Sequence, residues 1–155
     1  MAYVAEDATQ RVTEALCRLT DTNAALVALT GRASGNVVEW ETLAAAARPC
    51  VALFVVSCRE VPGGMPGTYD VETRWTAVAP RDGAGDGPFG RALCNEMLAA
   101  IEGAVTGPAF QNLATVPGAV WALVGSPQRT PIPRARRSSD ARVDLSLPLT
   151  ATLFG

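Results

Sequence analysis

The sequence predicts an α+β domain in which two main helices pack on one face of an antiparallel sheet of about four strands. Apolar residues recur at helical spacing in two segments of the 155-residue chain. In four other segments they alternate at a spacing of two or fill both faces, as in strands. The predicted elements follow the order α-β-β-α-β-β, with one long arm between the last two strands.

The first predicted element is a helix over residues 5–30. Its apolar stripe consists of leucines three and seven residues apart, namely Leu16, Leu19, Leu26 and Leu29. Three poor helix formers at 21–23 mark a point where the helix kinks or breaks. The next segment, residues 37–49, fits either a short strand with a loop or a helical turn.

Two strands are predicted next, at residues 50–60 and 68–79. The first is apolar on both faces, which is typical of a central strand that is covered on both sides. The connection between the two is short and rich in glycine and proline, so we expect the strands to be antiparallel. In the second strand apolar residues alternate with Asp70, Glu72, Arg74 and Thr76, which we expect to face water or a partner.

A second helix is predicted over residues 88–105, followed by strands at 118–125 and 140–153. The core stripe of this helix is Phe89, Leu93, Met97 and Ile101. In the last strand Pro148 cannot donate a hydrogen bond to a neighbouring strand, so we expect this strand at an edge of the sheet.

The connection between the last two strands is an arm at residues 126–139, far longer than a hairpin needs. All thirteen basic residues of the chain are arginines. Five of them lie in or beside the arm: Arg129, Arg134, Arg136, Arg137 and Arg142. With Asp140 they give this segment a charge of +4, which leaves −6 on the rest because the net charge is −2. Such segregated charge favours docking of the arm on carboxylates of a neighbouring copy.

The composition argues against catalysis. The chain has no histidine and no lysine, so the commonest general base and the Schiff-base nucleophile are both missing. It has no phosphate-loop motif, and its four scattered cysteines fit reduced, mostly buried thiols rather than a zinc site. The carboxylate pair Asp70 and Glu72 could share a proton or a divalent ion, but a solvated strand face explains it more simply. We therefore predict no enzyme, no catalytic or metal-binding residue and no cofactor.

Binding to nucleic acid through the arginine-rich arm stays open as an alternative, as does another adaptor function. Five arginines can neutralise several phosphates. However, no aromatic residues are interleaved with them for base stacking, and the rest of the chain is acidic. The N-terminus lacks a signal-peptide pattern, and no apolar run approaches the ~20 residues that cross a bilayer. We expect no membrane partner.

Five segments follow one another in a distinctive order. They are a helix that ends in AALVALTG, the apolar strand RPCVALFVVSCRE, the alternating strand YDVETRWTAVAP, the helix FGRALCNEMLAAIEGAV and an arginine-serine segment that leads into DARVDLSLPLTATL. In this order they resemble the tail terminator (tail completion, head-to-tail joining) proteins of long-tailed bacteriophages. The resemblance covers nearly the whole chain and is weakest between Val105 and Trp121.

The resemblance implies one domain over residues 1–155 and a virion structural function. The chain would form a ring, typically of six copies, that caps the tail tube, stops its polymerisation and joins the tail to the head or neck. The implied partners are further copies of the chain, the tail tube protein and a neck or connector protein, with transient contact with passing DNA. The implied location is the tail or neck of the virion, after assembly in the host cytoplasm. Our candidates for the subunit interface are Arg129, Arg134, Arg136, Arg137, Arg142, Asp70, Glu72 and Arg74.

Overall fold

The computed structural model describes residues 5–63, 67–81, 90–106, 119–123, 127–131 and 140–153. The helices are α1 (Ala5–Asp21), α2 (Ala24–Thr30), a 3-10 helix (Trp40–Ala45) and α3 (Gly90–Thr106). The strands are β1 (Val37–Glu39), β2 (Cys50–Glu60), β3 (Thr68–Pro80), β4 (Ala119–Leu123), β5 (Gln128–Pro131) and β6 (Asp140–Leu153). These elements confirm the predicted α+β class.

The strands form one sheet in the order β1-β2-β3-β6-β4, with β5 also paired to β6. The pairs among the predicted strands are antiparallel, whereas β1 runs parallel to β2. The prediction of about four strands missed β5 and gave β1 only as one of two alternatives for residues 37–49. Both are short: β1 has three residues and β5 has four. β5 also lies inside the predicted arm, so the segment 126–139 begins with a paired strand rather than a loop.

The last strand, β6, lies inside the sheet, and its predicted edge position is wrong. It pairs with β3 along its whole length, while β4 and β5 follow one another along its other side. β4 pairs with residues 149–153 and β5 with residues 143–146. Pro148 falls between these two pairings. Its missing N–H therefore interrupts neither ladder, which is why a proline is tolerated in a central strand here.

The three α-helices pack on one face of the sheet, as predicted, around a core centred on Trp75. The N-terminal helix breaks at the predicted place: Asn23 caps α2 by accepting hydrogen bonds from the backbone N–H groups of Ala25 (3.1 Å) and Leu26 (3.2 Å). In α3 the described part of the predicted stripe is buried. Phe89 lies outside the described residues.

The described residues cover the opposite face of the sheet at one end only. There the 3-10 helix places Leu43 over Cys50, Ala52 and Val78, which form a small second cluster. Residues 37–49 thus contain both structures that the sequence left open, a short strand and a helical turn. Beyond this cover the face is open, so the prediction that β2 is covered on both sides is wrong for its second half. We call this uncovered surface the open face.

Candidate functional site: the open face of the sheet

The open face carries three of the predicted interface residues on one strand. Asp70, Glu72 and Arg74 are exposed at alternate positions of β3, whereas Val71 and Thr73 between them are buried under the helices. The period of two in the sequence therefore predicted these three orientations correctly. Thr76, the fourth residue that was predicted to face water or a partner, is instead buried, and its hydroxyl donates to Asp144. The structure brings the three side chains onto one surface.

Neighbouring strands place the opposite charge beside two of these residues. Arg59 of β2 lies in register with Asp70. On β6, Asp144 lies 4.0 Å from the guanidinium of Arg74, measured from Nε to Oδ2, and accepts a 2.6 Å hydrogen bond from the hydroxyl of Thr76. Because the Arg74 side chain keeps 50% of its surface exposed, this ion pair leaves it available to a partner. The open face is thus mixed in charge rather than acidic.

An apolar patch borders these charges. Trp40, Phe54 and Val56 are 41%, 40% and 44% exposed, and they are the large exposed hydrophobic residues of the described chain. Trp40 and Phe54 line a hollow of about 170 Å³ together with Arg74, Thr76 and Asp144. We call Trp40, Phe54 and Val56 the aromatic patch. Clustered apolar side chains rimmed by polar residues are typical of protein interaction surfaces.

The sequence analysis did not identify the aromatic patch. Residues 50–60 read as an apolar strand, so Phe54 and Val56 were expected under a second layer. A β-bulge between Val55 and Ser57 also changes which residues face the helices, so that Cys58 packs against the core. The apolar pattern carries no signal for this bulge. The only indication that the aromatic patch would be exposed was the shortness of the 3-10 segment, which cannot cover an eleven-residue strand.

Arg129 lies on the helical side of the sheet, away from Asp70 and Glu72. It stands in register with the buried Leu145 at the β5 edge. Its guanidinium forms two 3.1 Å hydrogen bonds with the carboxylate of Glu102 on α3 and a third, of 3.3 Å, with the backbone carbonyl of Asn95. This bidentate pair ties the β5 edge to α3 within one copy of the chain.

The other arginines of the arm are less fully defined. Arg142 is half-buried on β6, in register with Val78, and so lies at the opposite end of the sheet from Asp70. Arg134, Arg136 and Arg137 lie outside the described residues. The structure therefore groups Asp70, Glu72 and Arg74, and it places Arg129 and Arg142 apart from them. Use of the eight candidates at a subunit interface stays a prediction.

The four cysteines are free thiols in the structure. Burial raises the pKa of Cys17 to about 12, with Glu39 and Asp21 adding to the effect. Burial likewise raises the pKa of Cys94 to about 11, and the pKa values of Cys50 and Cys58 are also raised. Cys94 is fully buried and donates to the backbone carbonyls of Ala77 and Ala141, both at 3.4 Å. Thiols held in this way are poor nucleophiles and poor metal ligands at neutral pH.

The described residues offer neither a cluster of metal ligands nor a membrane-spanning helix. They contain no group of three or more histidine, cysteine or acidic side chains that could hold a metal ion. None of the helices in the described ranges is both long enough and apolar enough to span a membrane.

The geometry defines a class of protein: an α+β domain with one helix-covered sheet face and one open face of mixed charge and exposed aromatic residues. No protein-family model matches the chain, and no curated protein is significantly similar to it. Eight chains of solved structures match it. One of them is a chain of the virion of native gene transfer agent (GTA) particle, with a TM-score of 0.52 and 17% sequence identity. The match covers 97% of this chain and 98% of that chain, so the two share a fold over their whole length.

Proposed function

We propose that this chain is a structural protein of a phage-like virion. The observation that carries the proposal is the fold shared with a chain of the gene transfer agent virion over nearly the full length of both chains. The shared fold extends over 97% of this chain and 98% of that chain, so it supports the proposal through the whole fold rather than through one local motif. The proposal assigns the chain no catalytic activity and no cofactor.

More specifically, we propose a ring-forming subunit that caps the tail tube, stops its polymerisation and joins the tail to the neck. The order of helices and strands, which resembles tail terminator proteins, supports this position in the particle. The open face supports assembly, because it presents ionic and apolar groups that monomeric proteins seldom leave exposed together. Partners are then further copies of the chain, the tail tube protein and a neck or connector protein. The location is the tail or neck of a virion assembled in the host cytoplasm.

Within such a ring, we propose that the arginine-rich arm of one copy docks on Asp70 and Glu72 of the next. Both carboxylates are exposed, and a guanidinium group binds a carboxylate in a bidentate manner. Because Arg129 is already engaged by Glu102, the arginines that carry this contact are Arg134, Arg136 and Arg137. Prolines in the arm reduce the entropy that it loses on docking.

The first experiment determines the oligomeric state of the purified full chain by native mass spectrometry and negative-stain imaging. We expect a closed ring, and we expect added ring to limit the length of tubes that the tail tube protein forms. Tubes of unchanged length would contradict the capping function. A monomer that binds labelled DNA, with affinity that falls steeply with salt, would favour the nucleic-acid alternative.

A second experiment tests the arm by reversing the charge of Arg134, Arg136 and Arg137 to glutamate together. We expect a folded chain that no longer forms rings or caps tubes. Exchange of Asp70 and Glu72 for arginine in the same chain should restore assembly, because it restores the opposite charges. If the triple variant forms normal rings and capped tubes, the arm is not an assembly element.

A further inference from the structure

We infer that the aromatic patch and Arg74 of one copy dock into a groove between α2 and α3 of a second copy. This inference rests on the proposed self-assembly and names the two surfaces that meet. The groove lies on the outer side of the helical layer and has a volume of about 590 Å³. Its lining includes Ala25, Ala28, Leu29, Glu96, Ala99 and Gly103.

The two surfaces are complementary in size. The aromatic patch presents large side chains on the open face, from the 3-10 helix and from β2, and Trp40 and Phe54 are each about two-fifths exposed. Most exposed positions of the groove are small residues, namely Ala25, Ala28, Ala99 and Gly103, so the two helices leave a recess between them. Large apolar side chains bury more apolar area in a recess lined by small residues than they would bury against a polar surface.

The charges beside the two surfaces are also complementary. Arg74 lies next to Phe54 at the aromatic patch, with half of its side chain exposed. Glu96 is exposed on α3 and lines the groove. When the patch enters the groove, the guanidinium of Arg74 therefore meets the carboxylate of Glu96. Like charges at these two positions would oppose the contact.

The arrangement of the two surfaces determines what the contact builds. The aromatic patch is on the open face, whereas the groove is on the far side of the helices that cover the other face. A contact between two different surfaces is heterologous, and repeated copies of it close into a ring or extend into a filament. A symmetric dimer would instead require one surface to pair with itself.

The edges of the sheet are poorly suited to contact between copies of the chain. β1 has three residues, and the N–H of Val37 is already bonded to the carboxylate of Asp21 at 2.8 Å. The other edge is formed by β4, which has five residues, and by β5, which has four residues and ends at Pro131. Short edge strands that carry proline or are capped by side chains resist pairing with another chain. The open face and the groove are the larger surfaces that remain for contact between copies.

The test exchanges the two charges in the full-length chain. Arg74→Glu alone and Glu96→Arg alone should each raise the protein concentration needed for half-maximal assembly by at least about tenfold, because like charges then meet at every contact. The double variant R74E/E96R should assemble like the wild type. An equimolar mixture of the two single variants should also assemble, in rings with an even number of alternating copies. Arg91→Glu is the control, since Arg91 is exposed on α3 but does not line the groove.

Native mass spectrometry measures assembly, and circular dichroism confirms that each variant is folded. Should either charge variant misfold, Phe54→Ser and Ala28→Glu test the same two surfaces without altering Arg74 or Glu96. Rings that form normally from both single variants would overturn the inference and leave the proposed function intact. Failure of the double variant and of the mixture, with both folded, would also overturn it. A wild-type chain that never associates would overturn the inference and the ring proposal together.

Discussion

Replacing Asp21 by alanine should destabilise the fold more than any other exchange of a partly exposed acidic residue. Asp21 ends α1, and its carboxylate accepts hydrogen bonds from the backbone N–H groups of Gly35 (3.1 Å), Asn36 (2.6 Å) and Val37 (2.8 Å). Its backbone carbonyl accepts a further bond from the Asn36 amide at 3.2 Å, and Asn36 is fully buried. One side chain thus fixes the entry into β1.

The magnitude follows from these contacts. The N–H of Gly35 is exposed and can bind water instead, so its lost bond costs little. The two partly buried N–H groups of Asn36 and Val37 lose a charged acceptor, at about 1–3 kcal/mol each. Removing a negative charge from the C-terminal end of α1 returns about 0.3–1 kcal/mol, because that end of a helix disfavours anions. We expect a net loss of about 1–6 kcal/mol in the free energy of unfolding.

Urea denaturation of the monomeric chain at pH 7 measures this loss. Asp21→Asn should cost less than alanine, since its amide oxygen still accepts one of the bonds. Glu14→Ala is the matched control: Glu14 is exposed on the same helix and bonds only to the exposed Gln10 in the described contacts, so its removal should change stability by less than about 0.5 kcal/mol. A loss below about 1 kcal/mol for Asp21→Ala would refute the assignment of Asp21 as the anchor of β1.

Two further predictions concern the core and the thiols. Thr73→Val should cost about 1–3 kcal/mol in urea denaturation, because it removes the only described acceptor of the buried Trp75 indole N–H (2.8 Å) and the donor to the Leu147 carbonyl (2.9 Å). An unchanged unfolding midpoint would contradict this. Cys94 should resist alkylation in the native chain at pH 8 and react on unfolding. Because its pKa is raised in the folded state, the stability that its proton provides is present below pH 9 and is lost as the pH rises toward 11. The urea midpoint should therefore fall above pH 9, and less so in Cys94→Ala.

The sequence predicted the fold well where a regular apolar pattern extends over many residues. β2, β3 and β6 each continue one pattern for eleven residues or more, and their predicted ends agree closely with the structure. The short strand β5 was missed, and β1 was only one of two alternatives, because three or four residues are too few to show a period. The edge position of β6 was mispredicted because a proline prevents a ladder hydrogen bond only at its own position. The pairings of β4 and β5 end on either side of Pro148, and this is a tertiary feature that the local sequence does not show.

The candidate site was predictable only in part, for a similar reason. Alternation along β3 showed that Asp70, Glu72 and Arg74 share a face, since orientation within one strand is a local property. The exposure of Phe54 depends on how far the 3-10 helix extends over the sheet. The internal pairing of Arg129 depends on the packing of β5 beside α3. Contacts of this kind join residues that are distant in the sequence, and no local pattern reports them.

The arginines show why counting charges in a sequence overestimates what a partner can bind. Arg48 donates to the carbonyls of Leu43 (2.6 Å) and Ala46 (2.7 Å) and pairs with Asp140 at 3.5 Å. Arg32 donates to the carbonyls of Arg48 and Pro49, and thereby holds the segment that leads into β2. In a chain without lysine, arginine also supplies these internal ties, for which its several N–H donors suit it well.

Internal ion pairs also determine how much of the charge of the arm is available to a neighbouring copy. Arg129 is neutralised by Glu102 within its own copy, and Asp140 is engaged by Arg48. The positive charge that remains for a neighbouring copy is thus carried by Arg142, which is half-buried on β6, and by Arg134, Arg136 and Arg137, which follow one another within four residues. A compact cluster of this kind matches two carboxylates two residues apart on one strand, such as Asp70 and Glu72, better than five dispersed arginines would. Reversal of Arg129 should therefore weaken the fold of the single copy, whereas reversal of Arg134, Arg136 and Arg137 should weaken only its assembly.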